Sequence, residues 1–162
     1  MREMTKLSIN PLSDIHLRRT IRNLALLFLG SFLLAPSSLQ AQDWANLNRY
    51  ANANRSLRES NPDPVRIVFM GNSITEGWAK FSPGYFSDNS YINRGISGQT
   101  TPQMLLRFRA DVIELKPKTV IILAGTNDVA GNTGPISNTE ILGNIKSMAE
   151  LAKINDIKVI LC

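Results

Sequence analysis

Apolar positions follow two spacings along the chain, and the switches between them predict its elements. Residues 43–58 are rich in Ala, Asn, Leu and Arg and predict a leading helix, broken by Pro62 and Pro64. Val65–Met70 (VRIVFM) reads as a buried strand running into Gly71, and Tyr91–Arg94 as a second strand. Thr101 and Pro102 supply a hydroxyl cap and a first-turn proline for a helix to about Leu115, where Pro117 stops it. Thr119–Ala124 (TVIILA) is a continuous β-branched run, the mark of a strand covered on both faces. After a loop at Gly131–Ser137, Asn138 or Thr139 is expected to cap a long helix ending near Asn155. Its Ile141, Leu142, Ile145, Met148, Ala149 and Ala152 recur at helical spacing. Ile157–Leu161 is a fourth apolar strand. Strands alternating with helices imply parallel crossovers and an α/β fold.

The first forty residues have a different pattern. Arg18, Arg19 and Arg22 precede an apolar run from Leu24 to Ala35, and the small and polar residues Pro36 to Ala41 follow. A basic stretch, a short apolar stretch and then small residues is the pattern of a secretory signal peptide. The run is shorter than the roughly 20 residues of a transmembrane span; the alternative reading is an uncleaved membrane anchor. The expected division is a signal peptide over 1–41 and one domain over 42–162. That leaves about 120 residues, the size of a single domain.

Composition narrows the chemistry. The chain has 162 residues, a formal charge of +5, one cysteine and one histidine. One cysteine excludes an internal disulfide and cysteine-rich zinc sites. Much of the positive charge belongs to the leader, and what remains shows no dense basic patch with interleaved aromatics, so no nucleic-acid partner is expected. The one histidine, His16, also lies in the leader. Residues 42–162 therefore contain no histidine.

Three polar clusters follow three of the strands, where parallel α/β sheets bind ligands. They are Gly71-Asn72-Ser73-Ile74-Thr75-Glu76-Gly77-Trp78, Asn93 to Thr101 (NRGISGQTT), and Ala124-Gly125-Thr126-Asn127-Asp128. Ser73 with Glu76 has the S-x-x-E form of a capping box; a serine there also suits a nucleophile beside an oxyanion site. A phosphate-binding loop fits poorly, because the glycine spacing is wrong and Trp78 stands where lysine would be. Gly98 is either a turn glycine or a source of a backbone N–H for an oxyanion. Asn127 is either a loop residue bonding its own backbone or a side-chain amide donor to that oxyanion. Asp128 reads as structural.

Together the clusters resemble the SGNH-hydrolase superfamily, the GDSL-type esterases and lipases. G-N-S-I-T is similar to its first block, with Ser73 at the nucleophile. N-x-G-x-S-G-x-T-T is similar to the second, with Gly98 at the oxyanion glycine. G-T-N-D is similar to the third, with Asn127 at the oxyanion asparagine. Asn72 stands where many members carry aspartate. The resemblance covers roughly residues 65–162. It implies a flavodoxin-like three-layer α/β/α sandwich with a parallel sheet, incomplete at the C-terminus. The family's fourth block, a D-x-x-H motif carrying the general base, has no match here.

The resemblance implies a secreted serine esterase that removes acyl groups, acetyl foremost, from carbohydrate or lipid esters. Ser73 would attack, its own backbone N–H, the Gly98 N–H and the Asn127 amide would hold the oxyanion, and no metal or cofactor is required. The expected partner is a small-molecule or glycan ester, with no stable membrane span after leader removal. The missing base keeps a second expectation open, an inactive fragment or a non-catalytic carbohydrate- or acyl-binding remnant. The apolar fourth strand is expected to be an uncovered edge.

Overall fold

The computed structural model describes residues 43–60 and 66–162. The expected signal peptide, its alternative as an anchor and the break at Asn61–Pro64 lie outside these residues. The leading helix starts later than its composition suggests: Asp43 accepts hydrogen bonds from Leu47 N and Asn48 N, which holds residues 44–50 in turns. The helix α1 then spans Ala51–Glu59.

The elements that follow are β1 (Ile67–Gly71), α2 (Ser73–Phe81), α3 (Pro83–Ser87), β2 (Tyr91–Gly95), α4 (Thr101–Asp111), β3 (Thr119–Leu123), α5 (Thr126–Val129), α6 (Asn138–Ile154) and β4 (Lys158–Leu161). Pattern reading placed the four strands to within one or two residues. It ran α4 too far: the helix ends at Asp111, and a 3-10 turn at Ile113–Leu115 carries the chain on to Lys116 in a left-handed conformation. The expected α6 cap, Asn138 or Thr139, falls one or two residues late. Ser137 is the cap, its hydroxyl accepting from Glu140 N while the Glu140 carboxylate accepts from Ser137 N, a reciprocal capping box.

Among the described residues the strands form one parallel sheet in the order β2-β1-β3-β4. This is the order of the first four strands of a flavodoxin-like sheet. Strand alternation divides the side chains between two layers. Val68, Met70, Val120 and Ile122 face α4 and α6, and are buried with Met104, Phe108, Val112, Met148 and Ala152. Phe69 points the other way, into edge-to-face contact with Trp78 of α2 and Phe86 of α3 at centroid distances of 5.4 and 5.2 Å. Such pairs each add about 0.5–1.5 kcal/mol beyond the area they bury. β4 is an edge strand whose Ile160 and Leu161 are exposed, as the sequence led one to expect.

The order reverses between β1 and β3. The chain leaving β1 turns into α2 on one face, and the chain leaving β3 returns through α6 on the other. The crevice between these departures is where sheets of this type hold ligands, and Ser73 and Asn127 stand on its two sides.

Candidate active site

Register brings the three polar clusters to one rim. Gly71 pairs with Gly95 on one side and with Leu123 on the other. Ser73, Gly98 and Asn127 thus lie two, three and four residues beyond strand ends that are level with one another. Direct bonds tie the clusters together. Ile96 N donates to Gly71 O at 3.1 Å, Asn72 Nδ2 to Thr126 Oγ1 at 2.7 Å, and Asn127 Nδ2 to Gln99 O at 2.9 Å.

Ser73 is the first residue of α2 and is exposed. The expected Ser73–Glu76 capping box does not form. The helix begins one residue earlier than that motif requires, so Asn72 is the cap, its Oδ1 accepting from Ile74 N at 3.0 Å. Asn72 is almost fully buried, and its other polar arm is spent on Thr126. With the cap supplied by its neighbour, the Ser73 hydroxyl stands at the positive end of a helix facing a cleft.

Gly98 has φ of +78°, a conformation that suits glycine. Its carbonyl accepts from Asn132 Nδ2 at 3.2 Å. Asn127 is half-buried; one amide hydrogen goes to Gln99 O and the other remains. Asp128 is buried and accepts from both the backbone N and the hydroxyl of Thr101, at 2.9 and 2.6 Å. It thereby holds the first residue of α4 and locks the second cluster to the third, which matches its structural reading. The α4 cap is Thr100, in a reciprocal box with Gln103, and not Thr101.

Sequence reasoning missed a buried polar network beneath the rim. Arg107, fully buried, pairs with Asp111 at 2.8 Å and donates to Gln99 Oε1 at 2.5 Å and to Gly71 O at 3.1 Å. Asn54 donates to Asp111 Oδ1, and Arg94 donates twice to Asn54 Oδ1. Tyr50 lies under Arg94 and donates to Gly95 O. Burial pushes both guanidinium pKa values down, opposed by the Asp111 carboxylate. The network grips the ends of β1 and β2 and the loop that carries Gly98. Its only sequence signal was the Arg107/Asp111 pair at i,i+4 spacing, which also suits a solvated helix face.

Two hollows flank the rim. A cleft of about 510 Å³ is lined by Arg49, Ser73, Glu76, Gly77, Lys80, Phe81 and Ser97. An apolar groove of about 560 Å³ lies between Ala124–Thr126, Val129 and the α6 residues Ile141, Leu142 and Ile145. Ser73 lines the first and not the second. The loop 131–137 bonds to the second cluster, with Thr133 Oγ1 3.0 Å from Thr100 Oγ1.

Comparison with known proteins agrees with this fold. The model of the GDSL-like Lipase/Acylhydrolase family matches residues 69–162. A GDSL-like lipase of Bacteroides thetaiotaomicron, known from a crystal structure, is 59% identical with a TM-score of 0.69, covering 72% of this chain and 57% of that one. A crystal structure from Bacteroides fragilis is 57% identical with a TM-score of 0.71, covering 74% of this chain and 58% of that one. Esterase TesA of Pseudomonas aeruginosa is 31% identical over 96 residues, 57% of this chain and 46% of that protein. The chain thus spans about half to three-fifths of the length of these relatives.

Proposed function

The chain belongs to the GDSL-like lipase/acylhydrolase family, and from that premise we propose that Ser73 is the nucleophile of an exported serine esterase acting on acyl esters of carbohydrates or lipids, acetyl esters first. One observation carries the reading: an exposed serine at the first position of α2 shares a rim, at the sheet's switch point, with the Gly98 loop and the Asn127 amide.

The chemistry follows from the arrangement. Ser73 Oγ attacks the ester carbonyl, and negative charge develops on the carbonyl oxygen. The Ser73 and Gly98 backbone N–H groups and the free Asn127 amide hydrogen stabilise it, the Asn127 amide being already held in place by the Gln99 carbonyl. The tetrahedral intermediate collapses, the alcohol leaves with a proton, and the acyl group stays on Ser73. Water then releases it. Both steps require a base, which a Ser-His-Asp constellation supplies as histidine. Residues 42–162 hold no histidine, so the proposed relay lies outside them. Export rests on the leader pattern of residues 1–41. Among the described residues no helix is long and apolar enough to cross a membrane.

That lack of histidine also favours a second reading, a binding remnant that holds an acylated ligand on the same rim without turning it over. Mass spectrometry of the chain incubated with p-nitrophenyl acetate and imidazole, which stands in for the base, separates the two. The esterase reading expects an acetyl adduct on Ser73 and none in Ser73→Ala; a wild-type chain that stays unmodified at Ser73 rejects it.

A further inference from the structure

Glu76 sits one turn beyond Ser73 on α2 and faces the same cleft. Its side chain does not serve its own helix. One carboxylate oxygen, Oε2, accepts from Ser97 N at 2.8 Å and from the Ser97 hydroxyl; the other, Oε1, accepts from Arg49 at 3.0 Å. Ser97 opens the peptide unit that carries the Gly98 N–H. Ser97 and Gly98 are the middle of a turn closed by Gln99 N donating to Ile96 O at 3.4 Å, and the Glu76 carboxylate ties that turn to α2 through Ser97.

Resting on the reading of Ser73 as nucleophile, we propose that Glu76 is a positioning residue for acyl transfer: by clamping Ser97 to the helix that carries Ser73, its carboxylate aims the Gly98 N–H at the oxygen of the ester under attack. The clamp spans the two elements whose relative placement the reaction depends on. A misplacement of about 1 Å in such a site costs on the order of a hundredfold in rate.

The Ser97 hydroxyl bond, reinforced by the Ser97 N–H and the Arg49 charge, holds the Glu76 carboxyl below its ordinary value against a smaller cost of burial. The charged and titratable groups facing it are Arg49 from the turn before α1 and Lys80 from α2, with Tyr50 and Arg107 acting from further away. Its carboxylate form is thus the clamped form, and protonation weakens its hold on Ser97.

Amide NMR spectra of the 162-residue chain between pH 7 and pH 3 test this. The Ser97 and Gly98 amide signals are expected to move together, with one midpoint below the ordinary glutamate value of about 4.3, and to lose that transition in Glu76→Gln. A Gly98 signal that stays still while Ser97 titrates, or that titrates equally in Glu76→Gln, overturns the proposal. In the p-nitrophenyl acetate and imidazole assay, Glu76→Gln is expected to slow Ser73 acetylation roughly tenfold or more at saturating ester, with the half-saturating concentration within twofold. Ser97→Ala is expected to do the same, and the double variant no worse than either. An unchanged acetylation rate overturns the proposal. Failure of Ser73 to acetylate at all removes the nucleophile reading instead, and the amide titration still decides whether the clamp exists.

Discussion

Asn127 gives one amide hydrogen to the Gln99 carbonyl at 2.9 Å, and that bond decides which hydrogen is left for a ligand. Asn127→Asp removes both: an acid side chain has no N–H₂, and its charge would face the Gln99 carbonyl. Acetylation of Ser73 by p-nitrophenyl acetate is expected to fall on the order of 10²- to 10³-fold, the usual cost of losing one oxyanion donor. Rates within threefold of wild type would remove Asn127 from that role.

Ser73 and Asn72 make a discriminating pair. Ser73 caps nothing, so Ser73→Ala is expected to change unfolding free energy by less than about 0.5 kcal/mol while abolishing the acetyl adduct. Asn72→Ala loses the α2 cap and the bond to Thr126 from a buried position, and is expected to cost about 1–3 kcal/mol. Urea denaturation of the two variants checks the contrast; equal losses would mean that Ser73 shares the cap.

This pair also shows how far the sequence could be read. The three motifs after the strands, and the parallel sheet that brings them together, follow from short-range pattern: β-branched runs, a cap, then a polar cluster. The exact start of α2 does not, since Asn and Ser are both good caps and a shift of one residue exchanges their duties. Glu76 was readable only as a capping partner three residues from Ser73, because its real partner, Ser97, is brought near by the pairing of β1 with β2. Arg107, Asp111, Asn54 and Arg94 were invisible as a network for the same reason. Nothing in a charged residue's own neighbourhood says that it will be buried.

Arg107 is expected to be the most sensitive position beneath the rim. Arg107→Leu leaves the buried Asp111 carboxylate with only Asn54 as hydrogen-bond partner, leaves Gln99 Oε1 without its donor, and leaves Gly71 O with Ile96 N alone. The expected loss is about 3–5 kcal/mol, read by urea denaturation. Replacing both partners, as Arg107→Leu with Asp111→Leu, should recover part of it, because no uncompensated charge then remains. A single variant as stable as wild type would show that the pair carries no such weight.

The α6 cap sets an acid limit. The Ser137 hydroxyl, and next the Ser137 N–H, hold the Glu140 carboxyl below its ordinary value. A depressed carboxyl stabilises the folded form above the unfolded-state pKa, and that contribution disappears as pH falls through the folded pKa. Ser137→Ala is expected to lower stability at pH 7 and to flatten the pH dependence below about pH 4.3. Thermal unfolding of both proteins at pH 7 and pH 3 reads the difference; an unchanged pH dependence would count against the box.

Gly95 and Gly98 are expected to respond to the same substitution for different reasons. A methyl group on Gly95 would lie 2.1 Å from Glu76 N, 2.7 Å from Thr75 C and 2.8 Å from Asn72 O, all backbone of the turn and helix that carry Ser73. None of these atoms can swing aside as a side-chain tip would, so Gly95→Ala must push α2 off β2. It is expected to cost 1–3 kcal/mol or more by overpacking and to slow Ser73 acetylation as well. Gly98 meets nothing, and its difficulty is only the φ of +78°, a strain of roughly 1–2 kcal/mol for alanine. Gly98→Ala should therefore fold with no more than that loss and with α2 still seated on β2, its larger effect falling on the rate. Denaturation and acetylation measured on both variants test the contrast. A Gly95→Ala protein with wild-type stability would mean that α2 does not rest on β2 as closely as these distances require.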